Sequence, residues 1–122
     1  MKKIKLLLIL LAGICIAGRA QVTRKGGTEI AIIKTPTVQC EECKKRIEDY
    51  VSREEGIQKI VVDYKRKTAK VTYLVDRTSI ENVKAAIANA GYDADDVKAD
   101  PDAYKRLPTC CKKPEDGGGH SK

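Results

Sequence analysis

The residues of this 122-residue chain best suited to chemistry are cysteines, and four of the five fall into two tight pairs, Cys40 with Cys43 and Cys110 with Cys111. Two thiolates on one short loop suit a soft d10 ion. Cu(I), which accepts two or three sulfur ligands, is the favoured candidate, with Hg(II) or another thiophilic ion behind it. Zinc asks for four ligands, so Cys40 and Cys43 alone make a poor zinc site unless the C-terminal residues contribute. The same Cys-x-x-Cys spacing also fits a disulfide or a redox dithiol, and that alternative stays open. Cys110, Cys111 and His120 place further soft or borderline ligands within 11 residues. They suit an accessory metal site, a further sulfur for the first site, or a disulfide.

For two thiols to act together, a structural element must hold them. From Glu41 to Glu54 the apolar positions Cys43, Ile47, Tyr50 and Val51 recur at spacings of three and four, which predicts an amphipathic helix closed by Gly56. Cys43 then opens its buried face, while Cys40 belongs to the preceding loop. A thiolate at a helix N-terminus is stabilised by unpaired backbone N–H groups and the positive end of the dipole, which makes it a ready ligand. A partly exposed two-thiol site of this kind suits handing an ion over.

The N-terminus suggests where the thiols work. Lys2, Lys3 and Lys5 precede the apolar run Leu6 to Ala17 and the small-residue ending Gly18-Arg19-Ala20, the pattern of a secretory signal peptide over residues 1–20. The run is too short to span a bilayer comfortably, so cleavage after Ala20 and a periplasmic or secreted product are expected. Cys15 would be discarded with it. Removal of these residues leaves 20 basic against 17 acidic residues, a net charge of +3 in place of +7. In an oxidising compartment four remaining cysteines make disulfides a real competitor to metal binding.

Residues 21–27 read as a disordered polar leader. Strands are predicted at Thr28–Lys34, Ile57–Tyr64, Thr68–Val75 and Tyr92–Ala99, the middle two joined by the solvated turn Lys65-Arg66-Lys67. A second helix begins at a capping box with Thr78 as cap, buries Ile80, Val83, Ile87 and Ala90, and stops at Gly91. The order β-α-β-β-α-β with one apolar stripe per helix implies an α+β, ferredoxin-like two-layer sandwich: a four-stranded antiparallel sheet with both helices on one face. Residues 100–122, with three prolines and three consecutive glycines, read as a flexible or loosely docked tail carrying Cys110, Cys111 and His120. Export and the absence of aromatic ribonucleoprotein motifs argue against a nucleic-acid partner.

The run "CEECKKRIEDYVSREEGIQKIVVDYKRKTAKVTYLVDRTSIENVKAAIANAGYDAD" resembles a heavy-metal-associated domain, the module of copper chaperones, transporter N-termini and periplasmic mercury-binding proteins. The resemblance spans residues 28–99 and rests on the Cys-x-x-Cys, "GI..I.VDY", "V.Y.VD" and "AI..AGYDA" together. Where that family commonly has Gly-Met-Thr before its first cysteine, this chain has Thr37-Val38-Gln39. The resemblance implies a non-enzymatic protein that binds a soft metal through Cys40 and Cys43. It also implies that Tyr92 helps shield the metal, and that the partner is a transporter or another metal-binding protein, through which alone the chain meets a membrane.

Overall fold

The computed structural model describes residues 27–118. The expected signal peptide, Cys15, most of the leader and His120 lie outside them. Three strands form one antiparallel sheet: β1 (Thr28–Lys34), β2 (Ile57–Asp63) and β3 (Thr68–Leu74), in the order β1-β3-β2. The central strand shows why the sheet has two unlike faces. Ala69, Val71 and Tyr73 of β3 are buried while Lys70 between them is exposed, the period-two alternation of a half-wet sheet. β1 instead offers isoleucine to both sides, with Ile33 in the core and Ile30 and Ile32 exposed. Asp63 accepts from the Lys65 and Arg66 backbone N–H groups at 3.1 and 3.0 Å and shapes the β2–β3 turn, which Lys67 leaves at φ 58°.

Two helices bring their apolar stripes to the core: α1 (Glu41–Val51) and α2 (Ile80–Asn89). In α1, Cys43, Ile47 and Val51 repeat every four residues and are buried; Tyr50, expected on that stripe, is exposed at its edge. The helix ends earlier than the periodicity suggests, and Gly56 (φ 86°) turns the chain into β2. There an added Cβ would meet Thr78 Cγ2 at 2.8 Å, so glycine is required twice over. The cap of α2 is Ser79, not Thr78: the Ser79 hydroxyl accepts from Asn82 N–H at 3.2 Å.

A bond network unforeseen in the sequence ties α1 to the free edge of β2. The Glu48 carboxylate accepts from Val62 N–H at 2.8 Å, while Lys44 Nζ donates to Glu48 at 2.7 Å and to the Val62 carbonyl at 3.1 Å. Edge-strand backbone groups that would otherwise face solvent or another chain are thereby satisfied.

Residues 92–99 do not form the expected fourth strand. They make a tight turn with one bridge, Ala94 to Val97, and Asp95 at φ 52°. The aspartates divert the backbone groups that a ladder needs: Asp93 accepts from Ala99 N–H at 2.8 Å, and Asp95 accepts from Lys34 N–H at 2.7 Å. Only Lys34 of β1 is reached, its carbonyl accepting from Asp95 N–H at 2.8 Å.

The expected loose tail is also different over residues 100–118, which pack onto the domain. Asp100 caps a short helix α3 (Pro101–Lys105) by accepting from Ala103 N–H at 2.9 Å, with Pro101 preset at the first turn. Leu107 then packs over Gly91, whose φ of 106° and missing Cβ admit it; an added Cβ would lie 3.1 Å from Leu107. A 3-10 turn, Thr109–Cys111, follows, and Cys111 joins the core.

Candidate metal centre

The first pair of thiols sits where the loop after β1 becomes α1. Cys40 occupies the N-cap position with extended backbone (φ −152°) and makes no capping hydrogen bond, which leaves its sulfur free for other work. Its Sγ lies 3.3 Å from Sγ of Cys43, in hydrogen-bond contact. The loop bringing them here is held at several points. Val38 is buried, its N–H donates to the Thr35 carbonyl at 3.1 Å, and its own carbonyl accepts from Lys67 Nζ. Thr37 Oγ1 accepts from Asp93 N–H at 3.1 Å, binding the loop to the segment that carries Tyr92.

The second pair meets the first. Sγ atoms of Cys40, Cys110 and Cys111 all lie within 4.8 Å of one another, and Cys110 and Cys111 are 3.9 Å apart. The Cys40 thiol also donates to the Cys110 carbonyl at 3.8 Å. Gln39 Nε2 donates to the Lys112 carbonyl, which fastens the 3-10 turn over the loop. All four cysteines are free thiols here. The site is more enclosed than the partly exposed loop the sequence suggested: Cys40 is 7% exposed, Cys43 0% and Cys111 1%.

Electrostatically Cys43, Cys110 and Cys111 are unequal. Burial acts to push Cys43 up, but hydrogen bonding with Cys111, the Gln39 backbone and Cys40 outweighs it and holds the thiol below its ordinary value. Burial pushes Cys111 strongly up, with Cys43 adding to the effect, and it also raises Cys110. Of these three, Cys43 is the thiol readiest to become a thiolate.

Tyr92 is fully buried against these sulfurs. Burial, with Cys111 and Cys43 close by, raises its phenol. The hydroxyl makes no well-formed hydrogen bond within the described structure. Every sequence-predicted site residue inside the described range is thus gathered at one place. What the sequence left open was whether Cys110 and Cys111 belong to it; Leu107, the residue that seats them, carried no recognisable signal beyond being apolar.

An α+β domain with clustered thiols at the start of its first helix defines a class of small heavy-metal-binding modules. Residues 32–93, half of the chain, match the family model described as heavy-metal-associated domain, and the chain belongs to that family. It is 29% identical over 62 residues to the copper chaperone CopZ of Staphylococcus haemolyticus, covering 51% of this chain and 91% of that protein. It is likewise 29% identical over 65 residues to the mercuric transport protein periplasmic component of Pseudomonas aeruginosa, covering 53% and 71%. Among solved structures, oxidized MerP from Ralstonia metallidurans CH34 aligns with a TM-score of 0.54 and 28% identity, over 56% of this chain and 94% of that one. Cys110 and Cys111 fall outside the family match.

Proposed function

We propose that this protein is exported and captures or relays a soft d10 metal ion, Cu(I) foremost, through Cys40 and Cys43. The observation that carries the reading is the 3.3 Å approach of the two sulfurs at the head of α1, one of them a thiol held below its ordinary value. Deprotonated, the pair offers two soft donors on a fixed backbone, the arrangement that favours Cu(I) over harder ions. Relatives named for copper and for mercury make Hg(II) the next ion to test. Binding and delivery involve no bond-making in a substrate, so the role is that of a carrier rather than an enzyme, with a metal transporter or a second metal-binding protein as partner. The signal-peptide pattern of residues 1–20 supports a periplasmic or secreted site of action.

A thiol–disulfide couple is the second reading, favoured by the same short sulfur–sulfur contact. Native mass spectrometry of anaerobically reduced protein offered Cu(I), Hg(II) and Zn(II) in competition separates the two. The metal reading predicts a one-to-one Cu(I) complex that survives the competition; a chain that takes up no soft ion, yet exchanges disulfides with a dithiol, would contradict it.

A further inference from the structure

Cys110 and Cys111 lie beyond the matched family residues, yet the fold carries them onto the Cys40–Cys43 loop. Three sulfurs, those of Cys40, Cys110 and Cys111, lie mutually within 4.8 Å, and the fourth, of Cys43, is 3.3 Å from Cys40. Thiolates ~2.3 Å from a metal sit ~3.8 Å apart at the corners of a tetrahedron, a spacing that the three mutually close sulfurs can reach around one ion. We propose that the C-terminal segment is a built-in sulfur-bearing cover, which completes a closed site of at least three thiolates around the soft ion first held by Cys40 and Cys43. The proposal rests on the assignment of those two cysteines as ligands.

The cover is seated by contacts that need no metal. Leu107 occupies the space left by Gly91, the Asp100 N–H donates to the Ala88 carbonyl at 2.9 Å, and Gln39 grips the Lys112 carbonyl. Tyr104 closes the far side: its hydroxyl donates to Asp116 at 2.5 Å and accepts from Lys113 N–H at 2.8 Å. The added sulfurs are therefore preorganised as well as tethered, and binding loses little to ordering them. Each thiol that enters the coordination shell gives its proton to solvent. The consequence is functional: with Cys40 and Cys111 almost wholly buried, a partner must lift the cover before it can reach the ion, so release is slower than from an open pair.

X-ray absorption at the copper edge, on reduced full chain carrying one equivalent of Cu(I), counts the sulfurs directly. At least three are expected in the parent and two in the Cys110→Ser/Cys111→Ser variant, with affinity against a competing chelator lowered about tenfold or more. The single variant Cys110→Ser, at the half-buried position, guards against loss of fold at Cys111 and is expected to weaken binding with an unchanged circular dichroism spectrum. Two sulfurs in the parent, together with unchanged affinity in both variants, would overturn the closed site while leaving the Cys40–Cys43 assignment intact. Failure of that assignment has its own signature: Cu(I) held equally well by Cys40→Ser/Cys43→Ser.

Discussion

Cys43 and Tyr92 are both buried at the proposed site, and their replacement should touch the fold very differently. Cys43 is packed like a small apolar residue, yet its neighbours favour its thiolate. Replacing it with serine buries a hydroxyl in an apolar setting, and Cys43→Ser is expected to cost about 1–3 kcal/mol in urea unfolding. Cys40→Ser, at the cap, should cost less than Cys43→Ser; equal losses would mean that the two positions share one environment. Tyr92 presents the opposite case, since its buried hydroxyl has no well-formed partner although sulfurs lie close by. Tyr92→Phe should therefore leave the metal-free protein as stable or more stable by about 1 kcal/mol, while weakening Cu(I) binding. Thermal melts with and without Cu(I) check both halves, and a variant destabilised without metal would place the hydroxyl in the fold rather than the site.

At the scale of elements, the sequence carried clear signals wherever periodicity and punctuation agreed. The stripe Cys43, Ile47, Val51 located α1, and the alternation along Thr68–Leu74 located β3, because burial on one face leaves a regular trace in residue type. The misplaced fourth strand had the opposite cause. Tyr92–Ala99 contains three aspartates, two of which, Asp93 and Asp95, take backbone donors with their side chains, and that local competition outweighed a pattern too short to be decisive. The packing of residues 100–118 was hidden for another reason: proline and glycine mark turns equally well in loose and in docked segments, and one leucine fitting one glycine leaves no periodic trace. That contact is testable. Gly91→Ala forces a side chain into left-handed backbone and against Leu107, so a loss of about 1 kcal/mol or more is expected, with faster amide exchange across residues 103–113. Unchanged exchange there would show that Leu107 does not hold the segment. The Glu48–Lys44 clamp on β2, illegible because charged i,i+4 pairs usually serve only a helix surface, should make Glu48→Ala cost about 1–2 kcal/mol.

Over the whole molecule, a three-stranded sheet and two helices provide one rigid layer pair, and both ends of the described chain are put to use around it. β1 delivers the first cysteine loop, and the C-terminal segment returns the second pair to the same place. Among the described residues no helix is long and apolar enough to cross a membrane. The exported form proposed here should begin at Gln21, which an intact mass of protein from the periplasmic fraction would show; a mass retaining residues 1–20 would count against export by cleavage. The central claim, that Cys40 and Cys43 are the ion's first ligands, is met most directly by titrating the reduced parent and its Cys40→Ser/Cys43→Ser variant with Cu(I) against a competing chelator. The parent is predicted to withdraw one Cu(I) per chain and the variant, left with only Cys110 and Cys111, far less, and equal withdrawal by the two proteins would contradict it.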